Sequence, residues 1–393
     1  MKIKLIKSSF YDEHTTKAQL ANFILSAKQL SMGAHCAAFE KTFADFQGRK
    51  FATLFNSGSS ANLALIQALL NLGRLRRGDK VAFSSVTWST NVMPIIQLGL
   101  IPIPVDIERE TLNVGSANLI ETIRQYSDIK GFFISNILGL CGDIDVIAAL
   151  CDDKKIIFLE DNCESFGSVY CGKRLGSFGL ASTCSSFVGH HLSTIEGGMV
   201  CTDDLELNAM LRIVRAHGWD RSLSTIEQQE LRTLFSVDSF YDLYTFYDLG
   251  YNLRPTEITG FLGLLQMDVA QTIISARAQN FQHFHNAAKK NPLLLPVKSD
   301  HIELVSNFAY PIVFAEEADF RIFRDKFYAN DIEIRPIVAG NITKQPFFRK
   351  YCGGNWLLPE SEFIHNHGFY FPNNPELTED EIERLINLVA RYD

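Results

Sequence analysis

The sequence predicts an α/β protein with a mainly parallel sheet covered by helices, followed by a smaller C-terminal α/β domain. The first observation is that short β-rich runs alternate with helix-compatible segments between residues 51 and 202, which is typical of parallel sheets. The second is a change of pattern after residue 257, where helical segments dominate. The third is size, because 393 residues with 46% hydrophobic content can bury a large core.

Seven β-rich runs lie in the first region, at residues 51–55, 80–84, 101–105, 131–135, 156–160, 182–187 and 199–202. Helix candidates lie between them at residues 60–72, 116–126 and 143–152. In such sheets, ligands bind beyond the carboxyl ends of the strands. The residues that directly follow each strand are therefore the candidates for a functional site.

The C-terminal region begins with a long helix-compatible stretch at about residues 257–290, followed by a strand candidate at 305–314 and a helix at 318–328. The last helix starts at Thr378, a capping residue before an acidic first turn and apolar residues at helical spacing. We predict a large domain at residues 1–260. A long connecting helix and a small domain are expected at 261–393.

Charge, apolar runs and cysteine spacing argue against several classes of protein. The net charge of −8 argues against a general nucleic-acid binder, which needs a basic face. The N-terminus has no apolar signal-peptide run, and no apolar stretch is long enough to span a bilayer, so we expect a cytoplasmic protein without membrane contact. The eight cysteines include no CxxC or CxC pair, which indicates a reducing compartment and no metal site.

Small residues follow the first strand, where Gly58, Ser59 and Ser60 open an apolar helix. A glycine-containing turn at a helix N-terminus presents free N–H groups and suits a phosphate, but a plain Ser-capped helix start is the commoner explanation. Trp88 follows the second strand. It is either a stacking platform for a flat ring or a core tryptophan.

Acidic residues follow the strand at 156–160, and two histidines follow the strand at 182–187. Asp161 and Glu164 need partners, which a protonated pyridine nitrogen, a helix cap or a salt bridge would each provide. His190 and His191 are open to three readings, as metal ligands, as an acid/base group or as polar loop residues. Adjacent side chains point apart on an extended chain, so a chelating pair is disfavoured, and a single imidazole suits acid/base work.

The order and spacing of these segments resemble the DegT/DnrJ/EryC1/StrS sugar aminotransferases, a family of fold-type I pyridoxal-phosphate enzymes. The segments that carry the resemblance are NSGSSAN (56–62), TWST (87–90), EDNCES (160–165), SSFVGHH (185–191), EGG (196–198), RAHGWDR (215–221), GYNLRPTEITG (250–260), IEIRPIVAGN (332–341) and KQPFF (344–348). They cover nearly the whole chain. The resemblance implies an aspartate-aminotransferase-like fold in which the large domain binds the cofactor.

The departure from the family pattern is at position 190. The resemblance places Asp161 against the pyridine nitrogen and expects the family's lysine 29 residues later, where this sequence has His190. An imidazole cannot form the covalent bond to the cofactor aldehyde that a lysine amine forms. One branch of the family, the nucleotide-sugar C3 dehydratases, has histidine at this point.

The dehydratase branch implies pyridoxamine 5'-phosphate as the working form of the cofactor and a nucleotide-linked 4-keto-6-deoxyhexose as substrate, with GDP-4-keto-6-deoxy-D-mannose expected. His190 would act as the base while the C3 hydroxyl leaves. Ammonia would be released, and L-glutamate would restore the amine on the cofactor. The absence of CxC argues against an iron–sulfur cluster. A pyridoxal-phosphate aminotransferase and a non-catalytic sugar-nucleotide sensor remain the alternatives.

The resemblance also assigns roles to individual residues. Gly58, Ser59, Ser60 and Ser185 are expected to hold the cofactor phosphate, Trp88 to stack on its ring and Glu164 to lie near the ring substituents. Asn252 is expected to reach the phosphate from the neighbouring subunit of a homodimer. His217 and Glu333 are expected to line the sugar pocket, and Arg221 or Arg254 to offset the diphosphate charge. For His217 and the two arginines, ordinary structural hydrogen bonds or salt bridges explain the residue types equally well.

Overall fold

A seven-stranded sheet organises the first half of the chain in the computed structural model, which describes Lys2–Arg391. The strands in chain order are β1 (Phe51–Phe55), β2 (Lys80–Ser84), β3 (Ile101–Val105), β4 (Ile129–Ser135), β5 (Ile157–Asp161), β6 (Val169–Tyr170), β7 (Lys173–Arg174), β8 (Ala181–Ser185), β9 (Gly198–Thr202), β10 (Leu294–Leu295), β11 (Ala309–Phe314), β12 (Arg335–Pro336) and β13 (Gly368–Pro372). The large sheet has the order β1-β9-β8-β5-β4-β2-β3. Strand β9 runs antiparallel to both of its neighbours, and the other pairs are parallel.

Helices cover this sheet and build the C-terminal part. They are α1 (Glu13–Ser26), α2 (Ala34–Gln47), α3 (Gly58–Asn71), α4 (Ser89–Gln97), α5 (Ser116–Gln125), α6 (Ile144–Lys154), α7 (Leu205–Arg215), α8 (Thr225–Leu234), α9 (Glu257–Asp268), α10 (Ala270–Ala288), α11 (Glu317–Ala329), α12 (Pro346–Tyr351), α13 (Pro359–His367) and α14 (Glu379–Ala390). The seven predicted strands and the helices expected between them are confirmed, with ends that differ by a few residues. The mainly parallel α/β class is therefore confirmed.

Strand register brings the predicted site segments to one edge of the sheet. Phe55 and Ser185 both pair with Gly198, and Asp161 pairs with Ser135. Because β1, β4, β5 and β8 all end at this edge, the residues that follow them meet in space.

A second, four-stranded antiparallel sheet of order β10-β11-β13-β12 forms the C-terminal part. Its apolar side chains join residues of the large sheet in one hydrophobic cluster, in which Phe281, Phe314 and Phe371 lie with Val105 and Ile134. The N-terminal segment also reaches this part, since Ile3 bridges to Ile332. The division near residue 260 stays a prediction.

The single long connecting helix expected from the sequence is two helices. Helix α9 ends at Asp268 and α10 begins at Ala270, with an angle of 59° between them. The two helices bury different faces, α9 against α2 and α10 against α14, so tertiary packing imposes the bend at Val269 without a glycine or proline. Among Lys2–Arg391 no single helix is long and apolar enough to cross a membrane, and this bent pair meets that test only when taken together.

Candidate active site

A cavity of about 300 Å³ lies at the carboxyl edge of the large sheet, between that sheet and the C-terminal part. Turns after β1, β4, β5 and β8 provide one wall, and the region around β11, β12 and β13 provides the other. Its lining residues are Ser57, Gly58, Ser59, Trp88, Thr90, Ser135, Asn136, Ile137, Asp161, Cys163, Glu164, Ser185, Phe187, Gly189, His190, Glu196, Phe308, Arg335, Val338 and Tyr370. Seven of the residues singled out in the sequence are thus brought together: Gly58, Ser59, Trp88, Asp161, Glu164, Ser185 and His190.

The turn after β1 has the features of an anion cradle. Ser57 caps α3, its Oγ accepting a hydrogen bond from the Ser60 N–H at 3.1 Å. A Cβ atom on Gly58 would lie only 2.8 Å from the Ser185 Cβ, so glycine is needed for this close approach. The α3 N-terminus therefore presents free backbone N–H groups beside the Ser59 and Ser185 hydroxyls, as a phosphate site requires. Ser60 takes part in the cap and does not line the cavity.

Asp161 ends β5 and is nearly buried, with 8% of its surface exposed. Its Oδ2 accepts a hydrogen bond from the Asn62 amide at 2.9 Å, and its Oδ1 accepts from the Cys163 N–H at 3.1 Å. These bonds fix a carboxylate at the cavity wall, where it can face a cationic N–H group. The neighbouring Glu160 points away and accepts backbone hydrogen bonds from Gly176, Phe178 and Gly179 at 2.7 Å each, so its role is structural.

Glu164 faces the same cavity from the turn after β5. Burial raises the pKa of its carboxyl group to about 8, and the negative charge of Asp161 acts in the same direction. A hydrogen bond from the Leu138 N–H at 3.0 Å opposes this shift. Below about pH 8, Glu164 is therefore protonated and can donate a hydrogen bond into the cavity.

His190 lies in the loop between β8 and β9, with the rings of Phe187 and Phe308 at centroid distances of 5.9 and 5.6 Å. Its Nδ1 is buried without a hydrogen-bond partner, which leaves Nε2 as the nitrogen that can meet a substrate. Burial, together with the nearby charge of Arg277, lowers the pKa of the imidazole to about 4. The ring is thus neutral at physiological pH and can accept a proton.

His191, in contrast, is buried beside the Phe166 ring and does not line the cavity. The two adjacent histidines therefore face different surroundings, as the sequence predicts. Trp88 stands at the cavity with 58% of its surface exposed, which is unusual for a core tryptophan and leaves a ring face open for stacking.

Four residues expected at the substrate or phosphate do not line this cavity. Of these, His217, Arg221 and Arg254 lie against the Trp219 ring, and Asn252 is hydrogen-bonded to Arg254. The Arg221 guanidinium lies 3.9 Å from the Trp219 ring centroid, and the Arg254 Nε donates to Asn252 Oδ1 at 3.0 Å.

Glu333 also lies outside the cavity lining, but its Oε1 accepts a hydrogen bond from Arg335 Nη2 at 2.7 Å. Arg335 itself lines the cavity and was missed in the sequence, although it lies two residues beyond Glu333 in the same motif. Ser135 and Asn136 were also missed, and their position at the carboxyl end of β4 and directly after it is the signal that would have found them. Phe308 and Tyr370 come from the second sheet, and no local motif identifies them.

Comparison with known proteins matches this geometry to one family over nearly the full chain. A family profile described as the DegT/DnrJ/EryC1/StrS aminotransferase family covers residues 12–390. A GDP-4-keto-6-deoxy-D-mannose 3-dehydratase of Yersinia pseudotuberculosis is 34% identical over 394 residues, which is 98% of each chain.

Two solved structures are similar throughout, both of GDP-4-keto-6-deoxymannose-3-dehydratase with a TM-score of 0.88. One is a histidine-to-asparagine variant with bound GDP-perosamine, 31% identical, covering 98% of this chain and 100% of that chain. The other holds a trapped PLP-glutamate geminal diamine, is 32% identical and has the same coverage.

Proposed function

Because the chain belongs to the DegT/DnrJ/EryC1/StrS aminotransferase family, we propose that it is a nucleotide-sugar C3 dehydratase whose substrate is GDP-4-keto-6-deoxy-D-mannose. The observation that carries the proposal is His190 in the cavity, at the place where a covalent enzyme of this family needs lysine. Among the described residues that line the cavity, none is a lysine. The full-length similarity to 3-dehydratases supports the same choice of reaction and substrate.

The cavity residues fit pyridoxamine 5'-phosphate and its aldehyde form, pyridoxal 5'-phosphate. Gly58, Ser59 and Ser185 would hold the phosphate, because the glycine allows the close approach described above. Asp161 would pair with the pyridine nitrogen, and the open ring face of Trp88 would stack on the heterocycle. When bound, the cofactor supplies an amine that reacts with the sugar ketone and a ring that accepts electron density as the C3 hydroxyl leaves.

His190 would move the proton in this reaction. Its imidazole is neutral at physiological pH, so it can take a proton at Nε2 and afterwards deliver it to the departing C3 oxygen. Asp161 would keep the pyridine nitrogen protonated, since an ionised carboxylate stabilises the adjacent cation. The protonated Glu164 would donate a hydrogen bond to a ring substituent. L-Glutamate is the proposed donor that restores the amine, which agrees with the glutamate adduct in the similar structure.

We further propose a homodimer in which His217, Arg221, Asn252 and Arg254 complete the partner's cavity. These residues are outside their own protomer's cavity, and the adjoining segment exposes large apolar side chains, with Phe240 and Tyr244 at 81% and 71% exposure. Exposed patches of this kind mark protein interfaces. Asn252 would then reach the cofactor phosphate, and the arginines and His217 would approach the sugar diphosphate together with the Glu333–Arg335 pair.

The reaction is tested by analysing the product formed from GDP-4-keto-6-deoxy-D-mannose with pyridoxal phosphate and L-glutamate. A dehydratase yields a sugar nucleotide that lacks one oxygen atom. An amino sugar that retains every other hydroxyl would instead identify an aminotransferase, and an unchanged substrate bound without turnover would identify a sensor. CDP- and dTDP-linked 4-keto-6-deoxy sugars in the same assay test the choice of base.

Shared sites are tested by mixing two inactive variants, His190→Asn and Asn252→Ala. If each site uses one residue from each chain, a mixed dimer regains one intact site, so an equal mixture recovers about a quarter of the wild-type activity. If both residues act within one protomer, the mixture stays inactive.

A further inference from the structure

Arg277 is a buried cation directly behind the active-site loop. It lies on α10 with 4% of its surface exposed, and its Nη2 donates a hydrogen bond to the backbone oxygen of His190 at 3.1 Å. Its Nη1 donates to the backbone oxygens of Asn373 and Asn307. One guanidinium therefore ties the loop after β8 to the segments before β11 and after β13.

The charge of Arg277 is not neutralised by contact. Among the described residues, no carboxylate lies within 4.0 Å of its guanidinium, and Glu376 acts on it only from farther away. Burial lowers the pKa of Arg277 to about 9, so the group remains charged at neutral pH. A buried cation with three carbonyl partners and no anion is costly, which suggests that the charge has a use at this place.

The ionisable groups around His190 indicate what the charge of Arg277 does. The ionisable groups that share its larger cavity are Asp161, Cys163, Glu164, Glu196, Arg335 and Tyr370, and those of a small polar cavity on its other side are Tyr11, His191, Arg277 and Glu376. Burial is the main cause that disfavours the protonated imidazole, and of these groups Arg277 is the one whose charge acts in the same direction.

We propose that Arg277 is a positioning residue for His190, which holds the histidine loop through its backbone carbonyl and places a positive charge beside the imidazole. The inference rests on the proposed function for its role in the reaction, but the contact between the two residues is independent of any substrate. Nothing in the local sequence around Arg277 signals this role, because it lies in the middle of a helix 87 residues away from His190.

The test separates the charge of Arg277 from its hydrogen bonds. Arg277→Lys keeps the charge with fewer donors, and Arg277→Gln keeps donors without the charge. Arg215 provides a matched control, since it is 2% exposed and its guanidinium donates to the Leu54 carbonyl and to Glu40 instead of to the histidine loop. Arg215→Gln therefore reports the general effect of replacing a buried arginine.

The first readout is the titration of His190 by NMR on histidine-labelled enzyme without cofactor, with the resonance assigned by its loss in His190→Asn. In Arg277→Gln the midpoint should move upward by about one pH unit, because a neighbouring positive charge is gone. In Arg277→Lys and Arg215→Gln it should stay in place. An unchanged midpoint in Arg277→Gln would overturn the electrostatic part of the proposal, whatever reaction the enzyme catalyses.

The second readout is turnover. Arg277→Lys should lower kcat by roughly tenfold or more while KM changes about twofold or less, because small displacements of a catalytic group cost rate more than binding. If kcat in this variant falls no further than in Arg215→Gln, Arg277 is only a structural residue and the positioning role is refuted. If the wild-type enzyme shows no dehydration while the NMR result holds, the proposed function fails and the contact with His190 stands.

Discussion

Replacing Glu164 by glutamine is expected to remove a loss of activity that the wild-type enzyme shows above about pH 8. The carboxyl group has an ordinary pKa of 4.5, which burial raises to about 8. With that value, about nine-tenths of the group is protonated at pH 7 and about one-tenth at pH 9. If the protonated form is required, activity falls about tenfold for each pH unit above 8, and the neutral amide of glutamine escapes this loss.

The assay is kcat/KM for dehydration from about pH 6 to about pH 10, because this ratio reports groups of the free enzyme. Burial raises the pKa of Cys163 and of Tyr370 well above that of Glu164, but it lowers the pKa of Arg277 to about 9, so Arg277 also loses its charge in this range. The contribution of Glu164 is therefore read from the difference between the wild-type and Glu164→Gln profiles. Glu108→Gln is the matched control, because burial also raises the pKa of Glu108, whose carboxylate accepts from Thr111 outside the cavity lining. A wild-type profile that stays flat to pH 10, or an alkaline loss with the same midpoint in Glu164→Gln as in the wild type, contradicts the role of Glu164.

Three further predictions concern the cofactor site. After borohydride reduction, the His190→Lys protein should carry covalently bound pyridoxal phosphate, which protein mass spectrometry detects, and its rate of dehydration should fall at least about a hundredfold. A His190→Lys variant that dehydrates as fast as the wild type would contradict the role of His190. Gly58→Ala should lower the free energy of unfolding by about 1–3 kcal/mol and weaken cofactor binding in a fluorescence titration, because the new Cβ overlaps Ser185. In the control Gly131→Ala, the new Cβ makes ordinary contacts at 3.5 Å, and cofactor affinity should change little. Asp161→Asn should fold normally, as judged by circular dichroism, but its kcat should fall at least about a hundredfold, since an amide does not stabilise a pyridinium cation. An unchanged kcat would argue against the pairing of Asp161 with the pyridine nitrogen.

The sequence predicts the large sheet well because its strands are buried and apolar. Ligands bind beyond the carboxyl ends of such strands, so the predicted strand ends then locate the site. Asp161 could be found in this way, since it directly follows the apolar run predicted as a strand at 156–160, whereas Ser185 lies inside the strand predicted at 182–187 and was assigned by the family resemblance. The break between α9 and α10 could not, because residues 257–290 contain no helix-breaking residue at Val269. Packing against two different helices decides that bend, and such contacts are not encoded locally.

The parts of the site that come from distant segments were also beyond local reasoning. Phe308 and Tyr370 enter the cavity from the second sheet, and Arg277 reaches His190 from the middle of α10. Their positions depend on how the two parts of the molecule dock. His190 is different, because its role was inferred from its place in an ordered set of motifs and not from the residue type alone.

The role of His190 in a dehydratase is best tested by measuring ammonia and 2-oxoglutarate together in one reaction with GDP-4-keto-6-deoxy-D-mannose and L-glutamate. We expect the wild-type enzyme to form ammonia and 2-oxoglutarate in equal amounts, and to remove one oxygen atom from a sugar for each molecule of ammonia. In His190→Asn all three should fall together. Formation of 2-oxoglutarate without ammonia, with the nitrogen found on an intact sugar, would contradict the account.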